Sequence, residues 1–213
     1  MTEKPGFEDF EWRSRMIGVF RDQLPHWVAE HGCYAVTLRC RGSLPKPVLQ
    51  KLREQVSAQV DINGSDSDYR LEQRRLFLSL EHYLDQGLGF APFHDRELAL
   101  KFSRWLSEYN QEGMRFSCWT VMPNHLHLIT KPLRSRSCEE FGRKWVLFKM
   151  RSTRFLNLSL QRRGAFWQRS WFDRWIRDAS ELQKWMVYLE QNPVKADLST
   201  EPEKWPGSSS YLT

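Results

Sequence analysis

Hydrophobic and polar residues alternate in three stretches of the chain, over residues 34–40, 115–122 and 125–130. Successive side chains of a strand point to opposite faces, so this alternation predicts strands that bury one face against a core. Pro123 and Asn124 separate the second stretch from the third and supply the chemistry of a turn. The last two strands are therefore expected to form a β-hairpin.

Apolar residues at helical spacing predict helices between these strands. The pattern covers residues 44–60, 76–84 and 94–109, and a stretch rich in Gly, Ser and Asp at 61–68 predicts a loop. Apolar residues that recur every three or four positions form one stripe on a helix, and such a stripe is buried against a core.

Serine followed three positions later by Glu or Gln marks the start of two more helices. Ser137 and Glu140 predict the start of a long basic helix that ends near residue 160. Ser180 and Gln183 predict the start of a helix that Pro193 ends, because proline lacks the backbone N–H that a helix interior requires.

The order of these elements predicts the fold class. Residues 166–178 are expected to add two short strands, and strands and helices follow one another too irregularly for repeated βαβ units. This order predicts an α+β sandwich with a central antiparallel sheet. We expect an N-terminal arm at 1–30, one domain at 31–199 with a helical insertion at 61–95, and a C-terminal tail at 200–213.

The net charge of +6 is concentrated in one segment of the chain. Residues 131–177 hold 13 Lys and Arg against three acidic residues, with aromatic residues among them. Such a block attracts polyanions, and aromatic rings stack on unpaired bases, so the segment indicates binding of single-stranded nucleic acid. A solvated basic face beside core aromatic residues has the same pattern, and the composition leaves both interpretations open.

Cysteine usage and hydropathy indicate a reducing compartment. Cys33, Cys40, Cys118 and Cys138 are scattered and form no C-x-x-C pair, so we expect packed thiols. No apolar run approaches the roughly 18 residues of a spanning helix, and the acidic N-terminus lacks a signal-peptide pattern. These features predict a soluble, cytoplasmic protein.

The third predicted strand carries two histidines that could bind a metal. His125 and His127 are two positions apart, so their side chains project from the same face of the strand. Two adjacent imidazoles are half of a metal site. Histidine pairs also occur as packed, hydrogen-bonded residues, and this alternative stays open.

The last predicted helix carries a candidate nucleophile. Tyr188 and Asn192 are four positions apart, so a phenol and an amide lie on the same helix face. A tyrosine can attack a phosphodiester and store the energy of the broken bond as phosphotyrosine. Its pKa is near 10, so it needs a metal or another group to assist the attack. A packed Tyr beside a capping Asn is the alternative interpretation.

Taken together, these motifs resemble those of the REP-associated tyrosine transposases, which belong to the single-tyrosine HUH transposases (His, hydrophobic residue, His). The most specific strings are MPNHLH at 122–127 and YLEQNPVKA at 188–196. Further similar stretches follow in the same order as in the family. They lie at 24–27, 36–39, 81–87, 166–168, 172–178 and 205–209.

The resemblance implies a ferredoxin-like domain of the HUH endonuclease type in a bacterial protein, as a monomer or a homodimer. Tyr188 would form a 5′-phosphotyrosine with single-stranded, hairpin-forming DNA. His125 and His127 would hold Mg²⁺ or Mn²⁺, with Asn192 as a third contact. Two imidazoles by themselves favour Mn²⁺ or Zn²⁺ over Mg²⁺, so the choice of metal follows from the resemblance.

The resemblance also assigns a role to the basic residues, most of which are expected to contact phosphates. Trp167 is expected either to stack on a base or to pack in the core, and Asp173 to hold Arg177 rather than a histidine. The predicted DNA contacts are Arg39, Arg41, Lys149, Arg151, Arg154, Arg162, Arg163, Trp167, Arg169, Arg174 and Arg177.

Three functional hypotheses follow. The first is an active nickase and strand transferase on hairpin-forming single-stranded DNA. The second is a domesticated protein that binds DNA or RNA hairpins and regulates or processes them without transposition. The third is an unrelated metal-dependent nuclease whose nucleophile is water rather than tyrosine.

Overall fold

The computed structural model of the protein describes residues 12–22, 24–45, 47–48, 50 and 77–212. The predicted loop at 61–68 and most of the predicted helix at 44–60 lie outside these ranges. Among the described residues, no helix is both long enough and apolar enough to cross a membrane.

Seven strands and three long helices make up the described fold, together with a helical segment at residues 77–84 and three short 3₁₀ turns. The strands are β1 Met16–Arg21, β2 Pro25–Ala29, β3 His31–Arg39, β4 Phe116–Met122, β5 His125–Thr130, β6 Leu133–Arg134 and β7 Phe172–Ile176. The helices are α1 Arg96–Glu108, α2 Cys138–Ser159 and α3 Ala179–Lys195, and the 3₁₀ turns are Pro92–His94, Pro202–Lys204 and Ser209–Tyr211.

The main sheet is antiparallel and has β3 at its centre. β5 and β7 pair with the two edges of β3, β4 pairs with the outer edge of β5, and β6 pairs with the start of β3. The chain thus follows the order β3-α1-β4-β5-α2-β7, which is the β-α-β-β-α-β order of a ferredoxin-like fold. The predicted α+β class and central antiparallel sheet are confirmed.

The two faces of the sheet have different coverings. Val36, Leu38, Leu126 and Leu128 lie on one face and belong to the larger hydrophobic core, which also contains buried residues of α1 and α2. The opposite face packs against α3, through a smaller cluster that includes Leu189. Directly opposed residues of antiparallel strands project from the same face. The register of β3 and β5 therefore fixes which of their residues face α3 and which face α1 and α2.

The start of α3 differs from the prediction. Asp178 is the N-cap, and its side chain accepts a hydrogen bond from the Glu181 backbone N–H at 2.7 Å. The helix therefore begins before Ser180, whereas the Ser137 cap of α2 lies where the sequence predicts it. The Asp178 carboxylate therefore caps the Glu181 N–H, two residues before the Gln183 N–H that a Ser180 cap would have bound.

Proline does not end α3, which contradicts the prediction. The helix continues through Pro193 to Lys195. A residue with an N–H at position 193 would donate to the carbonyl of Leu189, four residues earlier. The Thr120 hydroxyl of β4 donates to that carbonyl instead, at 2.9 Å. The unpaired acceptor is thus satisfied from the sheet, which removes one cost of an internal proline.

The N-terminal hairpin is part of the packed structure. Residues 16–29 were predicted as part of an arm, but β1 and β2 form an antiparallel pair that packs on α2. The His26 imidazole is buried and stacks on Trp171 at a centroid distance of 4.2 Å. Its Nδ1 lies 2.9 Å from Asp173 Oδ2, and its Nε2 lies 3.4 Å from Asp22 Oδ1.

These contacts decide the charge of His26. Burial opposes protonation, but the charges and hydrogen bonds of Asp173 and Asp22 outweigh it and raise the pKa of His26 to about 9. Asp173, which was expected to hold Arg177, instead accepts hydrogen bonds from His26 and from Trp171 Nε1. The carboxylate thereby joins β7 to the N-terminal hairpin.

Thr120→Val is expected to lower the free energy of unfolding by about 1–3 kcal/mol, because it leaves the Leu189 carbonyl without its donor in a buried position. Urea denaturation with matched m-values would measure the change. Thr153→Val makes the same substitution at a partly exposed site on α2 and should change stability by no more than about 0.5 kcal/mol. Equal effects at the two sites would contradict this explanation of Pro193.

The stability contributed by His26 is expected to depend on pH. Its folded pKa is raised, so the contribution is complete below about pH 6.5 and is lost as the pH rises through about 9. The stability difference between the wild type and His26→Gln should therefore shrink between pH 6 and pH 9.5, by an amount on the order of 3 kcal/mol.

Comparing the two proteins at each pH cancels other titrations, such as that of Lys149, whose pKa burial lowers to about 8. Urea denaturation across this range measures the difference. His94→Gln changes an exposed histidine and serves as the control. A wild-type advantage over His26→Gln that stays constant from pH 6 to pH 9.5 would contradict the assignment of charge to His26.

Candidate active site

Two imidazoles of β5 meet on the sheet face that α3 covers. His125 and His127 are both buried, and their Nε2 atoms lie 2.9 Å apart. In the sheet, His127 is opposite Thr37 of β3 and Thr120 of β4, while His125 is opposite Arg39. The predicted same-face projection of the two histidines is confirmed.

Neighbouring side chains hold the two rings in orientation. His125 Nδ1 lies 2.7 Å from Asn124 Oδ1, and the Asn124 amide nitrogen donates to the Leu88 carbonyl. Because an amide oxygen can only accept, His125 Nδ1 must carry the hydrogen and Nε2 must present a lone pair to the site. His127 Nδ1 contacts the Thr37 hydroxyl at 2.8 Å. Such contacts on the far nitrogen are how proteins orient metal-binding histidines.

A buried carboxylate completes the cluster. Glu81 Oε2 lies 3.0 Å from His127 Nε2, and ligand atoms of Glu81, His125 and His127 all lie within 4.8 Å of one another. The carboxylate comes from the helical segment 77–84, where Phe77 and Leu84 are buried with it on one helix face. Leu84 packs with Leu44, which fixes this segment against the domain.

Glu81 was not among the residues predicted for the site, although it lies in the stretch 81–87 that resembles the family. A signal was available, since Glu81 falls on the apolar stripe predicted for residues 76–84. A carboxylate on a buried face is rare unless it is paired or binds a metal. The signal was missed because Glu81 lies in the helical insertion expected at 61–95, away from the elements that carry the predicted site residues.

Tyr188 reaches the same cluster from α3. Its hydroxyl donates to Glu81 Oε2 at 2.7 Å, and its ring centroid lies 5.9 Å from that of His127. Phe77 and Trp185 pack around the ring. The phenol is therefore on the same side of the sheet as both imidazoles, so residues far apart in the sequence form one site.

The electrostatics of the cluster favour a cation. Burial lowers the pKa of His125 to about 3, so this imidazole is neutral at pH 7. Burial raises the pKa of Tyr188, and the charge of Glu81 and a hydrogen bond to it raise it further. Burial by itself would raise the pKa of Glu81, but the two histidines and Tyr188 hold it below the usual value.

The donor set fits a divalent metal ion. Glu81 Oε1 is buried and has no hydrogen-bond partner among the described residues, which is costly for a charged oxygen. Two imidazole nitrogens and a carboxylate oxygen are ligands that Mn²⁺, Zn²⁺ and Fe²⁺ accept. The side chains present thus fit a divalent metal ion, with Glu81 offering a ligand atom beside those of His125 and His127.

Asn192 lies at the edge of this cluster. It is buried one turn after Tyr188, and its side chain is close enough to the phenol to lower the pKa of Tyr188. Its Nδ2 has no hydrogen-bond partner of good geometry among the described residues. The predicted third metal contact is therefore beside the site, while Glu81 is the carboxylate that completes the group of ligand atoms.

Most of the predicted DNA contacts lie away from this cluster. Arg39 shares the sheet face of the histidines, next to His125. Arg151 and Arg154 border a groove between α1 and α2, on the opposite side of the sheet. Arg41, Arg163 and Arg169 are exposed. Arg174 pairs with Glu181, and the guanidinium groups of Arg162 and Arg177 lie over the rings of Phe90 and Trp175.

Two of the predicted contacts are structural residues. The Lys149 ammonium donates to the carbonyls of Gln168 and Arg169, so it holds the chain after α2 rather than facing DNA. Trp167 is only 4% exposed, and its Nε1 donates to Ser152 at 2.8 Å. A ring packed in this way cannot stack on a base, so Trp167 belongs to the core.

Comparison with known proteins gives a partial similarity to a solved structure. No family model and no curated protein sequence matches the chain. Among solved structures, that of a REP-associated tyrosine transposase bound to a REP hairpin is similar, with a TM-score of 0.48 and 14% sequence identity. The similarity covers 90% of this chain and 84% of that one. At this level it does not indicate which residues of this chain act.

Metal binding is expected to depend on Glu81 as well as on the histidines. Mn²⁺ titrated into the metal-free protein in a calorimeter should bind at one site, and Glu81→Gln or His127→Ala should weaken binding by at least about tenfold. Glu97→Gln removes an exposed carboxylate on α1 and should bind Mn²⁺ like the wild type. Wild-type affinity in Glu81→Gln would exclude Glu81 as a ligand.

Proposed function

We propose that the chain is a metal-dependent enzyme that cuts and rejoins single-stranded DNA through a covalent bond to Tyr188. One observation carries the proposal. A phenol, a carboxylate and two imidazoles meet in one pocket, with Tyr188 Oη 2.7 Å from Glu81 and Glu81 3.0 Å from His127. A structural tyrosine does not require a convergent set of metal ligands at its hydroxyl.

Tyr188 acts as the nucleophile in this proposal. Its phenolic oxygen forms a bond to phosphorus, the bond from phosphorus to the 3′ oxygen breaks, and the DNA 5′ end remains on Tyr188 as a phosphotyrosine. The 3′ oxygen of the released strand leaves with the electron pair of the broken bond and takes a proton from solvent, which gives a 3′-hydroxyl. Attack of a 3′-hydroxyl on the phosphotyrosine reverses the step and rejoins DNA.

Glu81 is placed to take the proton. Its Oε2 already accepts the hydrogen bond of the Tyr188 hydroxyl, so the proton can move to it as the phenolic oxygen attacks. Glu81, His125 and His127 would hold the metal ion. When bound, the ion would supply positive charge that polarises the phosphate and offsets the charge of the phenolate.

The DNA substrate is supported by charge and by motifs. The basic block at 131–177 leaves Arg151, Arg154, Arg163 and Arg169 exposed, where they can contact phosphates. The HUH string at 122–127 and the tyrosine string at 188–196 resemble those of enzymes that act on hairpin-forming single strands. We therefore infer that the substrate is a DNA hairpin with unpaired flanks.

A second function is favoured by the same cluster. A metal held by one Glu and two His can also activate water. In such a hydrolytic nuclease, water would be the nucleophile and Tyr188 would not react. The two enzymes differ in their products, since only the tyrosine mechanism joins the protein covalently to DNA.

Tyr188→Phe is expected to abolish the covalent adduct and to leave DNA affinity within about twofold of the wild type, since phosphate contacts elsewhere remain. The probe is a labelled pool of single-stranded hairpin oligonucleotides with randomised flanks, incubated with Mn²⁺ or Mg²⁺. A denaturing gel reveals the adduct, and mass spectrometry of the digested adduct locates the modified residue. Tyr211→Phe alters a tyrosine that is 44% exposed and is the matched control.

Four outcomes are possible, and the first three separate the hypotheses. An adduct in the wild type that is absent from Tyr188→Phe supports the proposal. Cleavage without any adduct supports the hydrolytic nuclease, and binding without either supports a hairpin-binding protein. An adduct that persists in Tyr188→Phe would exclude this tyrosine as the nucleophile.

A further inference from the structure

We propose that Lys195 is a positioning residue that holds a backbone phosphate of the single strand beside Tyr188. The inference rests on the proposed function and adds a DNA contact at the reacting centre, away from the groove that Arg151 and Arg154 border. It follows from the placement of Lys195 on α3 and from the charges around Tyr188.

Lys195 lies on the same face of α3 as the nucleophile. Tyr188, Asn192 and Lys195 are separated by four and then three residues, so they form one stripe along the helix. Lys195 Nζ lies 4.8 Å from the centroid of the Tyr188 ring. Asn192 is buried and Lys195 is exposed, so the stripe runs from the interior of the site to solvent.

The charges beside Tyr188 would otherwise repel DNA. Glu81 and Asp85 are one helical turn apart, and the charges of both raise the pKa of the Tyr188 phenol. A phosphodiester that approaches the phenolic oxygen therefore meets two carboxyl groups. Lys195 supplies a positive charge at this point. Burial and the charge of Glu81 raise the pKa of Asp85, and the charge of Lys195 opposes that rise.

The ammonium group of Lys195 is available to a ligand. Among the ion pairs formed by the described residues, none includes Lys195. Its contact with the Tyr188 ring keeps the ammonium group beside the phenol, and among the described residues no oxygen accepts a hydrogen bond from it. A phosphate oxygen can therefore bind Nζ while the adjoining phosphorus lies near the phenol.

A structural role at the end of the helix is the competing explanation. Lys195 is the basic residue of the last turn of α3, where a positive charge interacts favourably with the helix dipole. That role predicts an effect of substitution on unfolding and none on DNA. The phosphate role predicts the reverse, so the two can be separated by measuring both properties.

The test measures DNA binding in proteins that cannot form the adduct and adduct formation in proteins that can. Fluorescence anisotropy reports the affinity of Tyr188→Phe protein for the hairpin oligonucleotide pool over a range of KCl concentrations, with Lys195 intact or changed to Ala or Arg. Lys101→Ala, in the same background, removes an exposed lysine of α1 on the other side of the sheet and is the control. Single-turnover adduct formation is measured in proteins that retain Tyr188.

We expect Lys195→Ala to weaken binding several-fold and to reduce the slope of log affinity against log salt by about 0.7, the value for one lost phosphate contact on a single strand. Lys195→Arg should restore most of the affinity, and Lys101→Ala should match the parent protein. Thermal unfolding should be similar in all of them. In the single-turnover assay, Lys195→Ala should slow adduct formation while Lys195→Arg retains it.

A neutral methylphosphonate linkage locates the contact. It is placed in turn at the linkage that the wild type cuts and at each neighbouring linkage. At one of the three, the affinity difference between Lys195 and Lys195→Ala proteins should disappear, because no phosphate charge remains for the lysine to bind.

The outcomes distinguish this inference from the proposed function. If the wild type forms the adduct but Lys195→Ala binds with the same affinity and salt slope as Lys101→Ala, the role of Lys195 is overturned and the nucleophile stands. A difference that persists with all three neutral linkages also overturns it. If the wild type neither binds the oligonucleotides nor forms an adduct, both the function and the role of Lys195 fail.

Discussion

The site depends on one physical constraint. A buried carboxylate and two imidazoles face one another, and few N–H or O–H groups are available to form hydrogen bonds between them. Glu81, His125 and His127 bring electron-rich atoms within 4.8 Å, and Glu81 Oε1 has no partner among the described residues. The two histidines and Tyr188 offset part of the cost of this arrangement, as the lowered pKa of Glu81 indicates. Tyr188 contributes one hydrogen bond, and a cation would contribute far more. The register of the sheet and the orientation of His125 by Asn124 maintain this arrangement.

Local periodicity was sufficient to predict the part of the site that lies within single elements. Side chains two apart on a strand share a face, so the pairing of His125 with His127 follows from alternation alone. The four-residue step from Tyr188 to Asn192 likewise follows from helical geometry. The individual strands, the β4–β5 hairpin and the Ser137 cap were predicted for the same reason, because each depends on residues close together in the chain. The α+β class followed from the order of these elements.

What could not be predicted depends on contacts between distant segments. Glu81 joins the site only because the segment 77–84 packs against the sheet. Pro193 is tolerated inside α3 because Thr120, on another strand, supplies the missing donor. The spacing of basic residues similarly gave no indication that the Lys149 ammonium would bind backbone carbonyls or that Trp167 would be buried. Composition records charge and apolar character, but burial is decided by tertiary packing.

The negative charges of Glu81 and Asp85 have two opposite consequences for the site. Burial and the charges of Glu81 and Asp85 raise the pKa of the phenol, so without a ligand Tyr188 stays protonated. These carboxyl groups also make the pocket attractive to cations. A positive charge that enters it weakens the repulsion felt by both the phenolate and an incoming phosphate. Reactivity is therefore expected to appear only when positive charge and DNA are present together, because either one alone leaves the charges around the phenol unbalanced.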